Sequence, residues 1–168
     1  MSAIYAPAVL GSVATFEEVA PDADEIGTRM RTVLERLPWL VADAGGEVIG
    51  YAYAGPHHTR PGYRWSVNIS VYIEPGSQGR GIGRALYAEL LAVLRRLGIV
   101  NAYAGIALPN AGSVRLHEAI GMKRIAVYER VGFKFDAWHD VAWYGMRLVE
   151  PAEPPAEPTS YPDLRPPP

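Results

Sequence analysis

Six residues, Gln78-Gly79-Arg80-Gly81-Ile82-Gly83, constrain this chain more than any other stretch, because they join an apolar run ending at Ile73 to an amphipathic run opening at Arg84. A strand that enters a glycine loop and leaves it as a helix gathers backbone N–H groups at the helix N-terminus, where they can converge on one anion. Gly81 and Gly83 remove the Cβ atoms that would block close approach, and Gly79 permits the positive dihedrals such a nest requires. A phosphate or pyrophosphate fits that site. The nucleotide P-loop is excluded, since it ends Gly-Lys-Ser/Thr and here Ile82 follows Gly81. The dinucleotide fingerprint, G-x-G-x-x-G, matches poorly a loop that runs G-x-G-x-G. A plain turn before a helix is the remaining alternative.

The flanking periodicity supports a mixed fold. Ile26, Met30, Val33, Leu34 and Leu37 fall at helical spacing over Asp24 to Leu37, after a capping Asp22 and before Pro38. Trp39 to Ala42 and Glu47 to Ala54 form a hairpin around Gly45-Gly46. A loop from Gly55 to Gly62 precedes a strand over Arg64 to Ile73. Arg84 to Leu97 is an amphipathic helix that Gly98 terminates. A strand over Val100 to Ile106 follows, then a helix over Ser113 to Ile120 capped by Ser113, and strands near Lys123 to Glu129 and Val141 to Leu148. This order argues for an α+β fold: a mixed sheet flanked by helices.

With 168 residues, the apolar material suffices for one core, so residues 1–149 are expected to form one domain. Residues 150–168 are mostly Pro, Glu and Ala and read as a disordered tail. A formal charge of −2 with no segregation of sign argues against a nucleic-acid footprint. The absence of cysteine removes disulfides and thiolate chemistry. No stretch reaches the roughly 18 apolar residues needed to span a membrane, and Met1 to Pro7 lacks the character of a signal peptide. The expectation is a cytoplasmic protein that handles a small molecule and has no membrane partner.

Gln78-x-x-Gly81-x-Gly83, between strand and helix, resembles the acyl-CoA-binding motif of the GNAT N-acetyltransferases. Further segments resemble the phosphinothricin and methionine sulfoximine acetyltransferase branch, among them Pro38-Trp39-Leu40-Val41-Ala42, Ser70-Val71-Tyr72-Ile73, Leu108-Pro109-Asn110, Ser113-Val114-Arg115-Leu116-His117-Glu118 and Trp138-His139-Asp140-Val141. The resemblance implies a sheet in which the strands ending near Ile73 and Ile106 splay apart to admit the arm of acetyl-CoA. It also implies homodimers, and acetylation of the amino group of a small amino acid or analogue without a metal. Branch members carry a first strand and most of a helix ahead of the segment resembling Ile4 to Pro7, and here that strand is missing.

Site residues follow from the same resemblance. Val71, Tyr72, Ile73, Gln78, Gly79, Arg80, Gly81, Ile82, Gly83, Arg84, Asn110 and Ser113 are expected to hold acetyl-CoA. Phe16, Arg64, Tyr72 and Trp138 are the expected acceptor contacts, Arg64 because a guanidinium suits a carboxylate. Asn68 aligns with a glutamate proposed as general base in the branch, so a group unable to accept a proton lines the site there. His117 occupies the position of a tyrosine that protonates the CoA sulfur, a task open to an imidazolium. His139, and less strongly His57, His58 and Glu74, are the candidate proton acceptors. An acyl-CoA-binding module with lost or weak catalysis is the alternative from another class.

Overall fold

The computed structural model describes residues 1–164. Helix α1, Ser2–Gly11, opens the chain, and no element was expected there. Its apolar residues do not follow one stripe, so periodicity is silent, yet Ile4, Tyr5 and Val9 are buried. Helix α2, Ala23–Leu34, starts where expected, with the Asp22 carboxylate accepting the Glu25 N–H at 2.8 Å.

Strands β1 (Trp39–Ala44), β2 (Glu47–Pro56), β3 (Ser66–Ile73), β4 (Asn101–Ala107), β5 (Lys123–Lys134) and β6 (Ala137–Arg147) form one sheet of order β1-β2-β3-β4-β6-β5. Within it β3 and β4 pair in parallel and the other neighbours antiparallel, as the expected mixed sheet requires. Helix α3, Ile82–Arg96, connects β3 to β4, and helix α4, Ala111–Ala119, follows β4. Alternation along the strands separates two faces. Val67, Ile69, Ala102, Ala104 and Ala142 pack with Leu86, Leu90 and Leu94 of α3, while Tyr51 and Tyr72 face α1 and α2.

One expectation is corrected. The last strand begins at Ala137, not near Val141, so it includes Trp138, His139 and Asp140, and the reversal before it is made by Phe135 and Asp136, at φ 51° and 57°. Outward-facing Val131, Phe133, Phe135 and Trp138 are all exposed, which hides the polar/apolar alternation that would have marked the hairpin. The Pro-rich segment, expected as a disordered tail, is described as far as Leu164. Thr159 donates its N–H to the Leu97 carbonyl and Tyr161 to that of Arg36, each at 2.9 Å, and Tyr161 and Leu164 pack against the core. Those two side chains supply the burial that a count of Pro, Glu and Ala overlooks, and prolines lower the entropy lost on ordering. The rest of the tail, 165–168, lies outside the described residues.

Candidate active site

The register between β3 and β4 creates the site. They pair only at Ser66↔Asn101, Val67↔Ala102 and Asn68↔Tyr103, and then part. Beyond that point β3 stays zipped to β2 as far as Ile73↔Gly50, and β4 to β6 as far as Ala107↔Val141. Each strand therefore presents one unpaired edge to the gap, whose backbone polar groups need a partner. A groove of about 690 Å³ occupies it, walled by Val71, Tyr72 and Ile73 on one side and Gly105 and Ile106 on the other. This is the splay expected from the resemblance.

At one end the groove reaches the glycine loop. Gln78, Gly79, Gly81, Ile82, Gly83 and Arg84 line it; Arg80, exposed, does not. Gly79 and Gly81 sit at φ +74° and +83°, a region costly for side chains with a Cβ. Gly81 is the N-cap of α3 and offers no capping side chain, so the first-turn amides keep no protein partner from the cap. At Gly83 a Cβ would lie 3.2 Å from Leu116 Cδ2, so its smallness also seats α3 on α4. Glu74 is outside the wall and accepts from Ser77 Oγ at 3.1 Å.

Asn110 and Ser113 also line the groove, with their roles in the helix exchanged. Asn110, not Ser113, caps α4: its Oδ1 accepts the Ser113 N–H at 3.0 Å, which leaves its side-chain NH₂ uncommitted to the cap. His117, expected to act as an imidazolium, lines the groove, and its contacts suit the neutral ring. Its Nδ1 lies 2.8 Å from the Ser113 carbonyl, an acceptor only, so Nδ1 carries the hydrogen and Nε2 accepts from the Tyr87 hydroxyl at 3.0 Å. Burial pushes the His117 pKa down, against the charged ring. Burial likewise pushes the Tyr87 phenol up, so it remains a proton donor. The hydroxyl of Tyr87, masked in the sequence as one apolar position of an amphipathic helix, is the group on this wall that sequence reasoning missed.

The other end passes under α1, where Ile4, Pro7 and Ala8 close the groove with Ser12 and Ala14. That loop is held from 119 to 125 residues away: the buried Lys134 ammonium donates to the carbonyls of Val9, Ser12 and Thr15 at 2.6, 3.0 and 2.8 Å. Glu17 ties the same loop to α2 through Arg29 at 2.7 and 3.0 Å, and the guanidinium holds its carboxyl below the usual range. A lysine in a surface-like hairpin gives no sequence signal of either task.

Four expected contacts lie elsewhere. Arg64 is ion-paired to Glu157 of the tail and stacks over Trp65, whose indole N–H donates to the Ala156 carbonyl. Trp138 is 53% exposed and packs edge-on against Phe133. Phe16 lies across Gly132, where a Cβ would come within 2.2 Å of its ring, and so closes the β5–β6 hairpin over the loop. His139 donates Nε2–H to the Lys134 carbonyl at 2.9 Å and is part of the same clasp. None of the four belongs to the groove wall. Asn68 stands just before the splay, with Oδ1 2.9 Å from His57 Nδ1.

A sequence model described as an acetyltransferase (GNAT) domain matches residues 2–143. The chain belongs to the GNAT acetyltransferase family. As a GNAT acetyltransferase it is 43% identical over 128 residues to a phosphinothricin N-acetyltransferase of Streptomyces coelicolor, covering 68% of this chain and 75% of the relative. It is 37% identical over 154 residues to an L-methionine sulfoximine/L-methionine sulfone acetyltransferase of Salmonella typhimurium, covering 91% and 90%. A GNAT superfamily phosphinothricin acetyltransferase from Sinorhizobium meliloti, solved in complex with AcCoA, superposes at a TM-score of 0.87 with 37% identity, over 96% of this chain and 89% of that one. The likeness read from the glycine loop and the scattered segments is borne out at the level of family and fold. Among the described residues no cluster of three or more His, Asp or Glu could hold a metal ion, and no helix is long and apolar enough to cross a membrane.

Proposed function

We propose that this chain transfers the acetyl group of acetyl-CoA to the amino group of a small amino acid or amino-acid analogue of the phosphinothricin or methionine sulfoximine type, by direct attack of the amine. The carrying observation is the continuous groove that starts at the uncapped N-terminus of α3, follows the unpaired edge of β3 and passes beneath α1. Relatives named for those two acceptors, at 43% and 37% identity, support the acceptor class.

The residues present fit acetyl-CoA. Amides from Gly79 to Arg84 form the site for its pyrophosphate, with Arg84 and Gln78 beside it. The bare edge at Val71, Tyr72 and Ile73 suits an extended amide-containing arm, as an edge strand suits an added strand. The Asn110 NH₂ and Ser113 lie where that arm would continue. When bound, acetyl-CoA supplies an activated acyl group as a thioester. Tyr72, in edge contact with Tyr5 at 4.7 Å, shapes the wall shared with the acceptor side. The walls hold both reactants close and exclude water, the entropic part of catalysis.

The exposed Ile125, Val127, Tyr128, Val131, Phe133, Phe135 and Trp138 on the β5–β6 hairpin support a homodimer, since large exposed apolar surface marks an interaction site. The reading includes a cytoplasmic location, no metal, and no nucleic-acid or membrane partner. Thiol release from acetyl-CoA, assayed with phosphinothricin, methionine sulfoximine and common amino acids beside thermal shift with CoA, tests it. Amine-dependent release is the expected result. A CoA-dependent shift with no release for any amine would favour the binding module.

A further inference from the structure

The position that the resemblance assigns to a proton-accepting glutamate holds Asn68, whose amide has no basic site at neutral pH. Its oxygen is engaged: Oδ1 lies 2.9 Å from His57 Nδ1. An amide oxygen only accepts, so Nδ1 carries the hydrogen, and in a neutral ring the lone pair then sits on Nε2. Among the described residues that nitrogen makes no hydrogen bond. We infer that His57 is the general base of the acetyl transfer, with Asn68 as the positioning residue that sets its tautomer. This rests on the acetyl-transfer reading above.

Geometry puts the imidazole beside the point where the strands part, next to a groove wall that His57 and Asn68 do not themselves form. Asn68 and Tyr103 form the last β3–β4 pair, and the next residues along, Ile69 and Ser70 on β3 and Ala104 and Gly105 on β4, already line the groove. His57 stacks on Tyr103 with ring centroids 4.6 Å apart, and meets the edge of Trp143 at 6.2 Å. Its own N–H donates to the Ser66 carbonyl at 3.2 Å, extending the β2–β3 ladder by one rung, so the side chain hangs from ordered backbone. Trp143 Nε1, beside the imidazole, is buried with no hydrogen-bond partner among the described residues. The titratable groups facing the imidazole are His58 at 4.6 Å, Tyr63 at 6.1 Å and Tyr103.

The step balances without a further reactant. An acceptor arriving as ammonium gives one proton to His57 Nε2. The freed nitrogen lone pair forms the C–N bond at the thioester carbonyl carbon, the C–S bond breaks, and its electron pair leaves on sulfur. A second proton passes from nitrogen to sulfur, giving amide and thiol, and His57 returns its proton to solvent. A carboxylate on β3 and an imidazole on the loop that precedes it are thus two solutions to one requirement. Asn68, read alone, looks like a lost base; with His57 it is half of a replacement.

The test is steady-state kinetics against pH for His57→Phe, which keeps an aromatic ring on Tyr103, beside Asn68→Asp and the double variant His57→Phe/Asn68→Glu. The expected result is a fall in kcat/KM of about 100- to 10,000-fold for His57→Phe, with the CoA-dependent thermal shift kept. The double variant recovers at least about tenfold, since a carboxylate again faces the acceptor. Asn68→Asp retains activity and moves the acidic limb of the profile to higher pH, because a carboxylate beside Nδ1–H favours the charged ring. His57→Phe within about twofold of the parent overturns the inference while leaving acetyl transfer standing. If the parent itself releases no thiol with any amine, the acetyl-transfer reading fails, and ¹⁵N–¹H correlation spectra of the imidazoles still decide the geometry: a His57 ring protonated on Nδ1 supports it, and one protonated on Nε2 overturns it.

Discussion

Tyr87 Oη and His117 Nε2 lie 3.0 Å apart on the groove wall, joining α3 to α4 behind the site. The pair is buried, so each atom depends on the other. Tyr87→Phe leaves His117 Nε2 without a donor, which should cost about 1–3 kcal/mol in chemical denaturation.

The neutral state of His117 sets a pH dependence. Its folded pKa lies below the free value of about 6.5, so over the interval between the two the unfolded chain binds a proton that the folded one does not. That contribution is fully present above the free value and is lost as pH falls through the interval. Thermal melts from pH 7.5 to 5.0 should show a declining Tm, and His117→Gln should melt lower at pH 7.5 with a shallower decline.

In the glycine loop the two kinds of glycine should separate experimentally. Gly81→Ala places a Cβ on a residue at φ +83°, a cost of about 1–2 kcal/mol, and should weaken the CoA-dependent thermal shift. Gly83→Val crowds Leu116 and should lower Tm even without CoA.

Lys134→Met removes the donor of three carbonyls on the α1 loop. Each buried acceptor left unpaired costs about 1–3 kcal/mol, so a clear loss of Tm is expected. Because that loop closes the acceptor end, KM for the amine should rise while KM for acetyl-CoA stays near the parent value.

Arg64→Ala separates a tail anchor from an acceptor contact. The Arg64–Glu157 pair is largely solvent-exposed, which limits its worth to about 0–1 kcal/mol. Acceptor KM should be unchanged, and limited proteolysis should cut the 150–164 segment faster. A rise in acceptor KM of tenfold or more would restore the role first expected of Arg64.

By itself the sequence determined what local chemistry can specify. Alternating glycines between a strand and an amphipathic helix dictate a loop at positive φ that leaves the helix N-terminus without a side-chain cap, because φ and capping are properties of consecutive residues. Hydrophobic spacing likewise delivered α2, α3 and most strands. Tertiary structure decided whatever depends on residues far apart in the chain. The width of the splay depends on where β3–β4 pairing stops, and α1 became visible only when it had a sheet to cover. The tail gained order by burying Tyr161 and Leu164, and Lys134 reached a loop more than a hundred residues away. Asn68 shows the division most sharply: its sequence position says only that a carboxylate is absent, and the fold brings His57 to 2.9 Å from it. Proton-transfer chemistry is set by distance and desolvation, and neither is a property of sequence order.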